Sequence, residues 1–511
     1  MWQPLRWLDA LDQFVGSVER SRSRPLLFGA LTLVLVGLLF PFDWHPNEEG
    51  YLQLAYRKVA PQRFSPLHAV FDASFARYAP EVVLGWVLRL FGTTAGQPVL
   101  RVGMAIAYAA GLTYLFAALR LSAWDAVLVI VLFVMAGQDL LGGEWLFAGV
   151  EPKTLAYALL FFSLGAALRR RWLAAILLSA AATYMHFLVG GFWTLVILGL
   201  AWRDTRQLGS VARSVATYAV LTLPLAVAIA AEQSTGSTLT ADGLSATRIY
   251  AERVAHHASP FADPFAHLKW LPGIATMFAL MLALGVVRRR GHVSDSVRLS
   301  VLEIAYFTLL YLHLAVVLAF FDRHTLVLTK FYLFRPSSLA LLLAIVGLVA
   351  VLSSELTPRG TAIKGLITAV LGISLAANLV SNGVRTWRRG ADLPERPALV
   401  AAIQTHTQPT DVVLIEPYRE LEGEYVSLHR HIPRPTLVSW KFVPTTPEEI
   451  LRWHALQQMR VAIFAHGCQA RVTEPVRWLV TLRRETLARV AACGPTVWRR
   501  GNVALIRVDR R

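Results

Sequence analysis

The chain has 511 residues, of which 55% are hydrophobic and only 16% are charged, and its mean hydropathy is +0.49. Charge this sparse cannot solvate the surface of an ordinary soluble protein, so the composition predicts an integral membrane protein. Lys and Arg exceed Asp and Glu, for a formal net charge of +17. In a membrane protein this excess favours anionic lipid head groups or phosphate-bearing substrates as partners, rather than nucleic acid.

The first 24 residues form a polar and aromatic amphipathic stretch without the small-residue cleavage site of a secretory signal. We expect this stretch to lie on the membrane surface. A bilayer core takes about 20 apolar residues of helix, and by that measure several later segments are predicted to span. They are Pro25–Phe42, Pro98–Leu121, Asp125–Leu140, Lys153–Leu168, Val211–Ala231, Leu271–Val287, Leu299–Phe321, Ser338–Leu352 and Ile363–Val380.

One further apolar run, Trp172–Trp202, is too long for a single crossing. Its centre, Tyr184–Gly191, ends in two glycines, which predicts two short helices joined by a glycine break. The total is then about eleven membrane helices under the length rule.

Arginine bias sets the predicted orientation, because short cytoplasmic loops are enriched in basic residues. The arginines before the first span and those in the tight turns at 169–171, 203–206 and 288–290 fall on one side, which we assign to the cytoplasm. Basic residues after the first and last spans oppose this assignment, but they lie outside tight turns, where the rule is weaker. The predicted outer segments are 43–97, the loop around Glu144 and Glu151, 232–270, 322–337 and the tail from 381.

The tail alternates short apolar runs with helical patterns and is predicted to be a small α/β domain. The sequence thus predicts an α-helical polytopic membrane protein in three parts: an interfacial segment at 1–24, a membrane domain at 25–383 with a first outer loop at 43–97, and an extracytoplasmic α/β domain at 388–511. The two cysteines, Cys468 and Cys493, both lie in the tail. We leave open whether they form a bridge or stay as two buried thiols. The expected strands are Asp411–Ile415, Thr436–Val438, Val461–Phe464 and Asn502–Ile506, and the expected helices are Pro397–Ile403, Pro447–Met459 and Glu474–Ala491.

The first candidate site directly follows the first span, in the sequence from Asp43 to Tyr51. Glu48 and Glu49 form an acidic pair there, with Asp43 and His45 close by. One carboxylate of such a pair can act as a general base while the other tunes it. The alternative is a solvated loop start.

The second candidate site is the loop and helix start containing Glu144, Glu151 and Lys153. Ionisable residues at membrane depth usually mark a site, although Glu151 also suits a helix N-terminus on electrostatic grounds alone.

The third candidate site contains Arg323, His324, Lys330 and Arg335. Arg335 precedes a predicted helix, where a guanidinium and backbone amides together suit phosphate oxygens. The alternative is a snorkelling side chain.

Other histidines offer weaker candidates. His186 and His313 are expected to be packed or hydrogen-bonded side chains, and His256 and His257 could contact a substrate. A divalent metal on His45, Glu48 and Glu49 is conceivable, but metal-ligand spacing is absent. We therefore expect no metal and no other cofactor, and the lack of nucleotide-binding motifs argues against nucleotide-driven chemistry.

This layout resembles the GT-C superfamily of polyprenyl-phosphate-dependent membrane glycosyltransferases. In that family the first outer loop carries a catalytic acid, which Glu48-Glu49 would match in His-Pro-Asn-Glu-Glu-Gly-Tyr. Glu144 or Glu151 would match a second outer acid, and Arg335 a late basic residue near the lipid phosphate. The dipeptide here is Glu-Glu instead of an Asp-containing pair, and the tail resembles that of uncharacterised bacterial membrane proteins.

The resemblance implies sugar transfer from a polyprenyl-phosphate donor to an acceptor at the outer face of a bacterial inner membrane. Partners would be the lipid-linked sugar, membrane lipids and an acceptor of unidentified class. Polymerisation or ligation of lipid-linked glycans is an alternative that would make Arg57, Arg63 and Arg77 central. A transporter or a scaffold is the non-enzymatic alternative, although matched internal repeats are absent.

Overall fold

The computed structural model is 74% helical and has a small sheet region near the C-terminus. This agrees with the expected helical chain that ends in an α/β region. The residues that the structure describes are 24–39, 44–65, 67–68, 74–234, 240–241, 243–258, 260–261, 266–289, 296–328, 331–355, 358–390, 395–418, 427–432, 434–469 and 475–509.

The longer elements are numbered in chain order. The helices are α1 (Arg24–Leu39), α2 (Pro46–Val59), α3 (Tyr78–Ala118), α4 (Ala123–Met135), α5 (Pro152–Leu168), α6 (Trp172–Met185), α7 (Phe187–Thr205), α8 (Leu208–Ser234), α9 (Ala246–Ala258), α10 (Ala266–Arg289), α11 (Ser296–Phe321), α12 (Ser337–Glu355), α13 (Pro358–Gly390), α14 (Arg396–His406), α15 (Leu428–His431), α16 (Pro447–His466) and α17 (Arg484–Val490). The strands are β1 (Thr240–Ala241), β2 (Leu244–Ser245), β3 (Val412–Ile415), β4 (Val476–Thr481), β5 (Thr496–Arg500) and β6 (Val503–Arg507).

The chain divides into two compact units, each assembled from three stretches of sequence. Unit 1 comprises Met1–Phe40, Leu100–Ala226 and Val254–Gly383. Unit 2 comprises Pro41–Val99, Val227–Arg253 and Val384–Arg511.

Six helices in the described part of the chain are long and apolar enough to cross a membrane, which suggests a membrane protein. Five shorter apolar helices accompany them, and the expected count of about eleven crossings stays a prediction. The six long segments are Phe75–Ala118, Phe187–Thr205, Leu208–Ser234, Trp270–Arg289, Ser296–Phe321 and Lys364–Ser381, and the shorter ones are Arg24–Leu39, Ala123–Met135, Pro152–Leu168, Trp172–Met185 and Ser337–Ser353.

The two short helices expected at 172–202 are present as α6 and α7, but the expected position of the break between them, at the glycines, is wrong. The helices separate at His186, whose backbone is extended (φ −156°, ψ 104°), and Gly190 lies inside α7. A Cβ atom on Gly190 would overlap the backbone and side chain of Thr183. The glycine therefore permits close packing of two helices, and it does not end either of them.

The α/β region of unit 2 contains a four-stranded sheet in the order β3-β4-β6-β5, in which β3 and β4 are parallel and the other pairs are antiparallel. Alternate residues along the strands point to opposite faces. Val412 and Leu414 pack with α16 on one face, and Val413 and Ile415 pack with α14 on the other.

Two of the expected strands are confirmed, as β3 and β6, and two are wrong. Thr436–Val438 is not a strand, and Val461–Phe464 forms the end of α16. Ile463 and Phe464 are buried while Val461 is 45% exposed, so the helical period decides which side chains enter the core. The helix expected at 474–491 is also wrong: the segment contains strand β4 followed by the short α17. A strand covered on both faces lacks the alternation of polar and apolar residues by which a strand is recognised in a sequence.

Cys468 and Cys493 form a disulfide whose Cα atoms are 5.1 Å apart. Cys493 is buried, and Cys468 packs at the edge of the same core. Of the two alternatives left open by the sequence, the structure contains the bridge.

Candidate functional site

In unit 2, the first candidate site sits at the start of α2. The backbone N–H of His45 donates to Oε2 of Glu48 (2.9 Å), and Nδ1 of His45 accepts from the backbone N–H of Asn47 (3.2 Å). This reciprocal arrangement is a capping box, which satisfies amides that a helix start leaves without partners. Gln97 donates to the same carboxylate oxygen of Glu48 at 3.1 Å. Glu48 therefore has a structural role at the helix start in addition to any chemical one.

Glu49 faces a different partner, Arg430 in α15. Nε and Nη2 of Arg430 donate to the two carboxylate oxygens of Glu49 at 2.9 and 3.0 Å, and the guanidinium stacks over Trp44 at 4.3 Å. The Glu49 carboxylate is 2% exposed and the Arg430 side chain 18%. A bidentate pair of this kind is strong and directional. Sequence reasoning missed Arg430, because the two residues are 381 positions apart.

In unit 1, the second candidate site and Arg335 of the third form one ionic cluster. Nζ of Lys153 lies 3.1 Å from a carboxylate oxygen of Glu144 and 2.9 Å from one of Glu151. Nη1 of Arg335 donates to the other oxygen of Glu144 at 2.6 Å. We call Glu144, Glu151, Lys153 and Arg335 the ionic cluster. These four predicted residues thus come together, although nothing in the sequence indicates which of them pair.

Local structure explains how the ionic cluster forms. Gly142 and Gly143 have positive φ values of 85° and 63°, so the loop turns sharply just before Glu144. A Cβ on Gly142 would lie 2.8 Å from the backbone oxygen of His257, so only glycine fits there. Glu151 then caps α5, which places Lys153 in the first turn of that helix.

The Arg335 end of the ionic cluster is held by its own contacts. The hydroxyl of Tyr157 donates to the backbone oxygen of Arg335 at 3.1 Å, and the guanidinium stacks over Tyr332 at 4.2 Å. Arg335 is 16% exposed, compared with 2% for Glu144 and 5% for Lys153. The cluster is therefore buried at its centre and partly open at Arg335.

The pKa values of the groups in and beside the ionic cluster depend on two effects: burial, which disfavours the charged form, and nearby opposite charges, which favour it. Burial acts to raise the pKa of Glu144, but Arg335 and Lys153 outweigh it and hold that pKa at about 2. Burial lowers the pKa of His257, whose Nδ1 lies 2.6 Å from the backbone oxygen of Gly142. Burial also raises the pKa of Asp139 to about 6, although this carboxylate accepts a hydrogen bond from the backbone N–H of Glu144. At neutral pH Glu144 of the ionic cluster is therefore ionised, and His257, which lies beside the cluster, is neutral.

The remaining predicted residues lie elsewhere or outside the described residues. Arg323 stacks on Phe320 at 4.2 Å and donates to its backbone oxygen, and His324 is exposed in the same turn. Asp43, Lys330 and the side chain of His256 lie outside the described residues.

Two histidines have the local partners that packed side chains use. His186 caps α7 by accepting from the backbone N–H of Val189, and Nδ1 of His313 lies 2.8 Å from the Leu309 oxygen. Within the described ranges, no three His, Cys, Asp or Glu side chains group as metal ligands do.

No protein-family model and no curated protein sequence matches this chain. The resemblance drawn from the sequence therefore depends on layout and on the chemistry of the residues described above.

Proposed function

We propose that this protein is a membrane glycosyltransferase of the GT-C type, which transfers a sugar from a polyprenyl-phosphate donor to an acceptor at the outer face of a bacterial inner membrane. The observation that carries the proposal is the ionic cluster of unit 1. Two carboxylates and the cation of Lys153 are buried, and the guanidinium of Arg335 is partly buried, where apolar helices begin. Ionised groups are costly to bury, and at membrane depth they usually mark a site.

Arg335 is the residue of the ionic cluster best suited to a lipid phosphate. Its guanidinium already binds a carboxylate, and phosphate oxygens use the same donor geometry. It is also the most exposed member of the cluster and lies two residues before α12, whose first amides favour an anion. Glu144 would then hold the guanidinium in place and balance its charge when no phosphate is bound.

The proposed reaction is a direct displacement. A carboxylate, Glu48 or Glu49, accepts the proton of the acceptor hydroxyl, and the oxygen attacks the anomeric carbon. The bond from that carbon to the phosphate oxygen breaks, polyprenyl phosphate leaves, and the configuration at the anomeric carbon inverts. Both carboxylates already accept hydrogen bonds, Glu48 from the His45 amide and Gln97, and Glu49 from the Arg430 fork.

The test uses the full chain reconstituted in lipid vesicles and a panel of polyprenyl-phosphate sugars. Arg335→Gln should lower transfer, and it should weaken binding of polyprenyl phosphate relative to polyprenol, which lacks the charge. Glu48→Gln and Glu49→Gln should identify the base by loss of turnover with binding retained. Arg213→Gln is the matched control, since Arg213 is exposed and bonded within its own helix.

Two outcomes would contradict the proposal. The first is wild-type binding of polyprenyl phosphate by Arg335→Gln. The second is normal turnover in both glutamate variants. Loss of turnover only on replacing Arg57, Arg63 or Arg77 would favour the polymerase or ligase alternative.

The proposed location of the tail, outside the cytoplasm, is supported by the disulfide between Cys468 and Cys493, because such bonds persist in oxidising compartments. A reporter that works only after export should be active when it is fused after Arg511, and one that works only in the cytoplasm should be inactive there. The opposite result would overturn the proposed topology and the outer location of Glu48.

A further inference from the structure

The first part of α3, up to Gly92, buries one side and exposes the other. Tyr78, Val83, Trp86, Leu90 and Phe91, which we call the aromatic face, are between 46% and 72% exposed. Positions 83, 86 and 90 follow the three- and four-residue spacing of a single helix side.

The opposite side of this helix packs tightly on α2. Leu84 and Leu88 are buried there, and a Cβ atom on Gly85 would overlap the backbone oxygen of Ala55. The helix is therefore fixed by one side, and it presents the aromatic face outward from unit 2.

The surface around the aromatic face is basic. Among the described residues between 44 and 99, the acids Glu48, Glu49 and Glu81 are buried, whereas all the bases are exposed or half-exposed. Two of these bases contact the aromatic face directly: Lys58 lies over Tyr78 at 5.0 Å and Arg89 over Trp86 at 4.8 Å. We call Lys58 and Arg89 the basic rim. The other bases are Arg57, Arg63 and Arg77. An apolar face with a basic rim and interfacial aromatics has the composition of a helix that lies on an anionic bilayer.

Chain geometry gives the same result independently. The apolar stretch Phe75–Ala118 has 44 residues, which as helix would extend roughly 66 Å, about twice the thickness of a hydrocarbon core. Gly92 (φ 73°, ψ 170°) breaks the helix. The piece after it is long enough for one crossing, so the piece before it is not needed to span the hydrocarbon layer and can lie at its surface.

We propose that the aromatic face lies in the head-group layer of the bilayer and that the basic rim contacts the phosphates of anionic lipids. This inference does not depend on sugar transfer.

The test is depth measurement by site-directed spin labelling of the full chain in vesicles. The two native cysteines are bonded to each other, so an introduced cysteine is the sole reactive thiol. Val83→Cys and Leu90→Cys report on the aromatic face, and Gln404→Cys on the exposed side of α14 is the matched control. Collision of the label with oxygen, which concentrates in lipid, is compared with collision with a water-soluble nickel complex.

The expected result is a several-fold higher ratio of oxygen to nickel collisions at 83 and 90 than at 404. Mixing phosphatidylglycerol into phosphatidylcholine vesicles should raise that ratio, and Lys58→Gln combined with Arg89→Gln should remove the increase. Equal ratios at all three positions would overturn the proposal. Labels at 83 and 90 that neither reagent reaches would overturn it too, because the aromatic face would then be covered by protein. An undiminished lipid response in the double variant would overturn the assignment of the basic rim.

Discussion

Replacing Glu144 with glutamine should destabilise unit 1 by about 3 kcal/mol at neutral pH. The carboxylate pairs with Arg335 and Lys153, which hold its pKa at about 2 against an ordinary value of 4.5. Since one pKa unit corresponds to about 1.4 kcal/mol, the ionised form contributes about 3 kcal/mol above pH 4.5, and this contribution is lost as the pH falls toward 2. The figure matches the roughly 3–5 kcal/mol expected when one partner is removed from a buried ion pair.

The assay is SDS-induced unfolding of the purified protein in mixed micelles, followed by tryptophan fluorescence. The matched control is Glu252→Gln, which breaks a surface ion pair with Arg248. The side chain of Arg248 is 41% exposed and that of Glu252 is 48% exposed. That change should cost less than about 0.5 kcal/mol. Equal small losses in both variants would refute the reasoning, because Glu144 would then behave as a solvated carboxylate.

Three further predictions concern neighbouring features. Burial raises the pKa of Asp139 to about 6 in the folded chain, so the unfolded chain loses this proton at a lower pH than the folded chain does. The free energy of unfolding of the wild type, relative to Asp139→Asn, should therefore fall by up to about 3 kcal/mol between pH 4 and 7 in the same assay. Gly273→Ala should cost about 1–3 kcal/mol because the new methyl would overlap the Leu140 carbonyl, whereas Gly285→Ala on the same helix meets open space and should gain up to about 1 kcal/mol; a comparable loss in both would contradict the packing argument. Cys468→Ser should cost about 3 kcal/mol, and alkylation of the non-reduced wild type should find no free thiol by mass spectrometry; two alkylated cysteines would refute the bridge.

Local pattern was enough to predict where most of the apolar helices lie, because the length of an apolar run can be measured without knowing its neighbours. It missed the part of Phe75–Ala118 before Pro98, which was expected to lie in an outer loop. Local pattern was not enough for a short apolar run that suits either a strand or the end of a helix. Val461–Phe464 suits a strand by length and composition, yet it continues α16, whose Arg460 is buried and donates to the Ile415 oxygen. Such an anchor is fixed by tertiary structure and leaves no trace in the local sequence.

The site residues show the same division. Glu144, Lys153 and Arg335 were predicted because charges among apolar residues are conspicuous, but the pairing of Arg335 with Glu144 joins positions 191 residues apart. Arg430 was missed because it lies in a polar stretch of the tail, where an arginine is unremarkable by composition. Only the folded chain places it against Glu49.

The assembly of unit 2 from three distant stretches has a consequence for biosynthesis. Glu49 is made 381 residues before Arg430, an interval of roughly 20–75 s at the usual rate of about 5–20 residues per second. During that time the nascent chain holds a glutamate whose burial requires a cation that has not yet been synthesised. Unit 2 must therefore complete its folding after the last stretch leaves the ribosome, and a ribosome stalled before codon 430 would yield a chain in which Glu49 stays hydrated.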